Sequence, residues 1–298
     1  MRIAVTGASG LIGSALVPAL RADGHDVLRL VRRAPSTPDE VRWDPAAGYV
    51  DTAALAGVDA AVHLAGAGVG DRRWTDAYKK VLRDSRVLGT RTLATALAGL
   101  SPRPGVLVSG SAIGYYGDTG ERAVDESGPQ GSGFLAELVG EWEAAADPAS
   151  EAGIRVVHPR TGLVVSAEGG AWARLFPIFK LGGGGRLGSG RQYWSFISLR
   201  DEVRALQFLL DRDDLAGPVN LTAPNPVTNA EVTAAMGRVL HRPTLLPVPS
   251  LALKAVLGEF SGDVLGSQRV LPRALEGAGF VWRDPTIDQA LESALAAA

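Results

Sequence analysis

An α/β architecture is predicted for this chain: a doubly wound, mostly parallel sheet with a smaller C-terminal lobe. Three observations predict it. Residues 1–13 run as an apolar strand straight into a turn with glycine at positions 7, 10 and 13, and the apolar period then becomes helical through Leu11, Ile12, Ala15, Leu16, Ala19 and Leu20. Further short apolar runs ending in small residues alternate with helical stretches as far as Leu221, as βα units do. Beyond Arg242 the composition shifts to prolines (Pro243, Pro247, Pro249, Pro272) and short apolar runs.

The bulk properties narrow the class. A length of 298 residues suits one large domain, or one with an added lobe, and 46% apolar residues supply a full core. A net charge of −2 leaves no basic patch for a nucleic-acid partner. The chain has no cysteine, which excludes disulfides, thiolate zinc sites and cysteine nucleophiles and fits a reducing, cytoplasmic setting. The N-terminus opens as a strand, so no signal peptide is expected, and no apolar run reaches the roughly 18 residues that would make a membrane span.

The glycine turn has a mechanical reading. Gly7 allows the tight exit from the strand, Gly10 lets backbone approach a pyrophosphate with no Cβ in the way, and Gly13 lets helix and strand pack closely. Ser9, Leu11 and Ile12 lie among these glycines, and the helix opening there presents free N–H groups and a positive dipole end to phosphates. Strand, glycine turn and helix in that order point to dinucleotide binding. Asp26–Val31 reads as the second strand. In such folds a carboxylate after this strand takes the 2′-hydroxyl of NAD. Here Arg32 and Arg33 follow instead, and two guanidinium groups suit a 2′-phosphate, so NADP(H) is the expected cofactor.

Residues 33–50 read as a loop. Residues 58–66 are a third strand with a small-residue turn, where Leu64, Ala65 and Gly66 leave room for the cofactor. His63 reads as a packed strand residue, because no carboxylate or second histidine is spaced with it. A helix over 74–100 is expected to bury Trp74, Tyr78, Val81, Leu82, Val87 and Leu88, and Lys79, Lys80, Arg83 and Arg86 give it a positive face. The fourth strand, 105–111, ends in Ser109 and Ser111, and the loop 112–117 follows at the carboxyl edge, where open α/β sheets bind ligands. Ser111, Tyr115 and Tyr116 are therefore candidates for proton transfer or substrate contact, the alternative being that they only hold the loop. Residues 153–158 form a fifth strand, with Pro159 at its end suiting a cofactor-side turn and Arg160 beside it. The stretch 181–190 is too rich in glycine for strand or helix and reads as a mobile substrate-side loop or a plain surface loop. Arg191, Tyr193, Trp194 and Ser195 beside it are candidate ligand contacts. A helix over 201–211, a strand over 217–221, a capping box of Thr228 with Glu231, and a last helix from about Thr286 complete the chain.

Taken together, these motifs resemble the extended short-chain dehydrogenase/reductase superfamily: Thr6-Gly-x-x-Gly-x-x-Gly13, Leu64-Ala-Gly66, Gly89-Thr90, Ser111 and Tyr116-Gly117. More narrowly the chain is similar to the atypical "epimerase family" branch, related in name to nucleoside-diphosphate-sugar epimerases. Arg73-Trp74, residues 84–90, Gly114-Tyr-Tyr-Gly117, residues 134–137, Trp142-Glu143, Arg160-Thr-Gly162, residues 187–192, residues 220–225 and residues 265–272 carry that likeness. It implies a Rossmann-like NAD(P)-binding domain over 1–240, with substrate-side insertions from about 166–200, and a C-terminal extension over 241–298. It also adds Arg86, Ser109, Pro159 and Arg160 to the cofactor set and a helix–helix homodimer as a second use of the apolar helix after Pro129. Typical members use a tyrosine as general acid/base with a lysine four residues on. Here the pair is Phe134 and Leu138 in one register or Leu135 and Val139 in the other, none able to transfer a proton, and Arg86 stands where the assisting asparagine is expected. Two functions follow. One is an NADP(H)-dependent oxidoreductase or sugar-nucleotide epimerase in which Ser111, Tyr116 or Tyr115 handles the proton. The other is a non-catalytic NADP(H)-binding regulatory protein, in line with the cell-division label some relatives carry.

Overall fold

The structure, a computed structural model, describes residues 1–297. The first half runs β1 (Arg2–Thr6), α1 (Leu11–Ala22), β2 (Asp26–Val31), β3 (Glu40–Asp44), β4 (Tyr49–Val50), β5 (Ala60–His63), α2 (Asp76–Ala98), β6 (Val106–Ser109), β7 (Ser111–Ala112), β8 (Ala123–Val124), α3 (Phe134–Ala144) and α4 (Asp147–Glu151). The second half runs β9 (Arg155–Thr161), β10 (Leu163–Val165), α5 (Gly170–Lys180), β11 (Tyr193–Trp194), β12 (Phe196–Ser198), α6 (Leu199–Asp211), β13 (Gly217–Leu221), β14 (Val227–Thr228), α7 (Asn229–Leu240), α8 (Ser250–Leu257), α9 (Ser261–Leu265), β15 (Arg269–Val270), α10 (Arg273–Gly277) and α11 (Ile287–Ala296).

The main sheet has the order β13-β9-β6-β5-β1-β2-β3-β4, with β7 continuing against β9. It is parallel except for the β3–β4 edge. The chain leaves β1 toward β2 on one side and returns to β5 on the other, so the strand order reverses at β1 and opens a crevice at the carboxyl ends. Strands buried on both faces read as continuous apolar runs, which is why β1, β5 and β6 are legible in the sequence. Ile3, Val5, Val62 and Val108 face α1 and α6 through Leu16, Leu20, Leu206 and Leu209. Ala4, Ala61 and Leu107 face α2 and α4 through Leu93, Leu97 and Ala149.

Several expectations change. The stretch 33–50 is not a loop: Glu40–Asp44 extends the sheet, with Val41 and Trp43 buried. On α2 the buried side is Tyr78, Leu82, Gly89, Leu93 and Leu97, while Val81 and Leu88 are 49% and 41% exposed. Pro159 lies inside β9 rather than at its end. β6 pairs with β9 as far as Val157 and β7 resumes at Arg160, so the residue without an N–H falls in the gap of the ladder. The glycine-rich stretch 181–190 is a surface loop at Leu181 and Gly182 but is packed at Gly184 and Gly185. A Cβ on Gly185 would overlap the Leu246 carbonyl oxygen, and Leu187 bridges to Val248.

The core of the C-terminal lobe draws on both sides of residue 241. It joins Trp172, Phe176 and Phe179 of α5, Val232 and Met236 of α7, and Ile287 and Leu291 of α11 in one cluster. The capping box of Thr228 with Glu231 is present, and Thr286 with Gln289 repeats it at the start of α11. Buried Asp201 on α6 fastens the lobe to the sheet domain: its carboxylate accepts the Arg283 N–H at 2.9 Å and the Asp284 N–H at 2.7 Å.

The neighbouring Glu202 is fully buried, accepts the Thr161 hydroxyl at 2.8 Å, and has its carboxyl pushed up to about 8 by burial. The folded state therefore binds a proton that the unfolded chain releases near the ordinary glutamate value, and Glu202 lowers stability as pH rises from that value through about 8. Glu202→Gln keeps the acceptor for Thr161 and removes the titration. The variant is expected to melt above the parent protein by a margin that widens from pH 5 to pH 8.5, reaching on the order of 3–4 kcal/mol. Melting curves across that range check it, and a margin that stays constant contradicts it.

Candidate functional site

Two half-sites face each other across the carboxyl edge. The first is the glycine turn after β1. Gly7 has φ +68, and a Cβ there would lie 2.7 Å from the Leu64 carbonyl carbon and 2.8 Å from the Ala65 nitrogen. A Cβ on Gly13 would overlap the Gly7 carbonyl oxygen. The Gly10 N–H closes the turn on Gly7 O at 2.9 Å. Gly10 caps α1 without a side-chain hydrogen bond, so the amides of Leu11, Ile12 and Gly13 receive no side-chain acceptor beside exposed Ser9 and Gly10. The result is a backbone cradle with the positive end of a helix behind it.

Thr6 ties the cradle to the end of β5. Its Oγ1 accepts the Leu64 N–H at 3.1 Å and the Ala65 N–H at 3.2 Å, so its own proton goes to His63 Nδ1, 2.7 Å away. Burial pushes His63 down to about 4, which keeps the ring neutral and makes it a packing residue, as its isolation in the sequence predicted.

Arg32 and Arg33 stand at the end of β2 and differ. The Arg33 guanidinium is held by Glu40, with Nη1 on Oε2 at 2.7 Å. Arg32 is exposed and forms no ion pair among the described residues. Glu40 lies on the strand that the sequence concealed, so the competition for Arg33 was not foreseeable.

The second half-site is a chain of polar groups. Ser111 Oγ donates to Glu143 Oε1 at 2.5 Å. Arg160 donates to both oxygens of Glu143, through Nε and Nη2, at 2.8 Å. Its Nη1 donates to Tyr116 Oη at 3.0 Å, and that hydroxyl donates to Asn220 Oδ1 at 2.8 Å. The Arg160 guanidinium also lies over Tyr115, 3.5 Å from the ring centroid. Asn220 Nδ2 continues to Leu271 O at 3.0 Å, in the segment beside β15. Burial raises the Tyr116 phenol above its ordinary value, only partly offset by Arg160.

This arrangement changes the roles of three candidates. Arg160, expected on the cofactor, has its guanidinium occupied by Glu143 and Tyr116. Tyr116 is 2% exposed and bonded on both sides, so it is a poor proton donor. Ser109 is fully buried, and its hydroxyl has no hydrogen-bond partner, so it is not open to a cofactor. Glu143 also sets the register of α3. Leu135 and Val139 precede it by two and one helical turns on the side facing Ser111, and both lie near the Cβ that Gly114 lacks, at 3.5 and 3.9 Å. Leu135 and Val139, one of the two registers open in the sequence, therefore lie on the side of α3 toward Gly114, and neither can transfer a proton.

The comparisons with known proteins bear on the family and the fold. The model of the NAD dependent epimerase/dehydratase family matches residues 3–221. The chain belongs to that family. A domain of unknown function, DUF1731, matches residues 248–294. Epimerase family protein Mb2239 of Mycobacterium bovis is 52% identical over 97% of this chain and 96% of its own length. Epimerase family protein SDR39U1 of Bos taurus is 37% identical, covering 99% of this chain and all of its own. A crystal structure of human epimerase family protein SDR39U1 with NADPH superposes with TM-score 0.89 at 34% identity, covering 98% of each chain.

Within this epimerase-family frame the remaining candidates are placed as follows. Leu64, Ala65 and Gly66 border the cradle. Arg86 reaches under Gly66 from α2, and its Nη1 donates to Ala67 O at 3.0 Å. Trp194 and Ser195, expected as ligand contacts, are buried, and Ser195 Oγ donates to Gln268 O at 2.8 Å. Arg191 pairs with Glu121 at the surface. The network adds Glu143 and Asn220 to the candidates, and both lie in motifs that carry the family likeness. No metal-binding cluster and no helix long and apolar enough to cross a membrane occur among the described residues.

Proposed function

We propose that this protein holds NADP(H) in the β1–α1 cradle and is an oxidoreductase or epimerase-type enzyme of the short-chain dehydrogenase/reductase class. The observation that carries the reading is the pair of glycines, Gly7 and Gly13, at which any Cβ would collide with backbone, beside an α1 N-terminus without a side-chain cap. Those residues fit a dinucleotide pyrophosphate. Leu11, Ile12 and Gly13 amides would hold the phosphates, Leu64 to Gly66 would border the cofactor, and Arg32 would meet a 2′-phosphate. The NADPH in the human SDR39U1 structure supports the choice of cofactor. When bound, the nicotinamide supplies a hydride.

This chain's own residues then handle the proton at Ser111. Its hydroxyl proton is directed to Glu143, so Ser111 Oγ offers acceptor lone pairs to a substrate hydroxyl. Leu135 and Val139 line the side of α3 toward Gly114 with apolar groups that transfer no proton.

Arg32→Ala is expected to weaken NADPH binding by about tenfold or more while leaving NADH binding unchanged, the loss of a charge-assisted contact to one phosphate. Fluorescence titration with both dinucleotides checks it. Equal losses for both, or none, would remove Arg32 from the site. A second reading, a binding protein without turnover, is favoured by one observation: Tyr116, Arg160 and Glu143 are all satisfied within the protein. Deuterium-labelled NADPH incubated with a cell extract tests for net turnover. Label in a metabolite with the parent protein and not with Ser111→Ala supports net hydride transfer; saturated cofactor with no label excludes it and leaves the binding protein or an epimerase that returns its hydride to the same molecule.

A further inference from the structure

The C-terminal lobe carries one strip of surface that is both cationic and apolar. The chain has 32 aspartates and glutamates, yet residues 169–200 and 232–258 contain none. The two stretches run side by side: Arg242 Nε donates to Lys180 O at 2.9 Å, and the Val248 N–H donates to Arg186 O at 2.8 Å. Arg174, Arg191, Arg200 and Arg238 within them each meet a carboxylate from elsewhere in the chain. Lys180, Arg186, Arg242 and Lys254 are exposed and form no ion pair among the described residues. The same stretches hold six of the eleven large apolar side chains left exposed among the described residues, Ile178, Leu181, Leu245, Leu246, Leu251 and Val256, so apolar exposure is concentrated there. Leu181, Leu245 and Leu251 are 88%, 83% and 79% exposed. In α8 six of the eight residues are apolar and none is buried. Between the strip and α7 opens a cavity of about 320 Å³, with Arg186, Thr233, Thr244 and Leu245 in its wall.

Single exposed leucines need no explanation, but a contiguous apolar strip on a folded chain marks a contact surface. A second copy of this chain does not fit it, because a symmetric contact would set the four unpaired cations of one copy against those of the other. An anionic phospholipid surface satisfies both properties at once, since phosphates meet the cations and leucine tips enter the boundary with the acyl chains. The chain as a whole has a net charge of −2, so its negative charge lies away from this strip and a negative surface would turn the strip toward itself.

We propose that residues 178–186 and 242–256 form a docking face that seats the protein on an anionic phospholipid surface. Lys180, Arg186, Arg242 and Lys254 pair with headgroup phosphates, and Leu181, Leu245, Leu246 and Leu251 enter the interface. Nothing here crosses the bilayer, in keeping with the lack of any helix long and apolar enough among the described residues. The contact stands apart from the dinucleotide reading, because none of these residues belongs to the glycine cradle or to the network around Ser111.

The test sediments the full chain with vesicles of phosphatidylcholine alone and of phosphatidylcholine mixed with phosphatidylglycerol, at low and at high salt. Two double variants accompany the parent, Leu245→Ser with Leu246→Ser and Lys180→Gln with Lys254→Gln; these side chains are exposed, so parental melting temperatures confirm that both fold. Val281→Ser, at another exposed apolar residue outside the strip, is the control. The expected result is binding about tenfold or more stronger to the anionic vesicles, lost at high salt, weakened about tenfold by each double variant and unchanged by Val281→Ser. Equal binding to both kinds of vesicle, or anionic binding that survives either double variant, overturns the proposal. Failure of the parent to bind either vesicle also overturns it. Saturable binding of poly-L-glutamate, lost in the lysine variant, would then assign the face to an acidic protein partner instead.

Discussion

Gly13→Ala is expected to lose at least a hundredfold in NADPH affinity. The added methyl would overlap the Gly7 carbonyl oxygen and lie 2.8 Å from Ala8 Cα, both backbone atoms that cannot rotate away. To fit it, the turn must open, which breaks the Gly10 N–H bond to Gly7 O and displaces the first turn of α1, the group of amides that faces the phosphates. Crowding of this kind also costs about 1–3 kcal/mol of stability, so a melting temperature lower by several degrees should accompany the loss. Gly277→Ala is the control: a Cβ there meets nothing within 4 Å, and its NADPH affinity should equal that of the parent. Titration of both variants decides the matter, and normal NADPH binding by Gly13→Ala would refute the cradle.

Arg160→Met is expected to destabilise the protein by about 3–5 kcal/mol, a drop of roughly 10 °C in melting temperature. The change removes the only cation paired with Glu143 among the described residues, and it leaves that carboxylate facing Ser111 with both oxygens short of a donor. It also strips the donor from Tyr116 and the cover from Tyr115. The double variant Arg160→Met with Glu143→Leu should recover part of the loss, since breaking a buried pair costs more than removing both members. Denaturant unfolding of the two variants measures this. A single variant within about 0.5 kcal/mol of the parent would show that the pair is solvated rather than structural.

What the sequence disclosed depends on how local each feature is. The β1–Gly turn–α1 unit was legible because strand, glycines and helix are contiguous and each glycine has its own steric reason. The capping box at Thr228 was legible for the same cause. Strand β3 was hidden because it is only 5 residues long and lies behind a proline-containing stretch, so its alternation of Val41 and Trp43 with charged residues is too brief to outweigh that loop-like composition. The network around Ser111 was hidden by distance along the chain. Glu143, Arg160 and Asn220 come from α3, β9 and β13, and only the sheet brings them to one edge. A sequence shows that Arg33 and Arg160 are cations; it does not show that Glu40 and Glu143 engage them first.

The interleaved lobe has a consequence for how the protein is made. Strands β1, β2, β5 and β6 and helix α2 are all synthesised before residue 110, so the inner strands of the nucleotide half can pair while translation continues. The aromatic cluster of α5 cannot be sealed until α11 emerges, because Ile287 and Leu291 pack against the same core as Trp172 and Phe176. During that interval the nascent chain carries an aromatic surface that α11 has yet to cover, the kind of exposure that makes incomplete chains prone to aggregate.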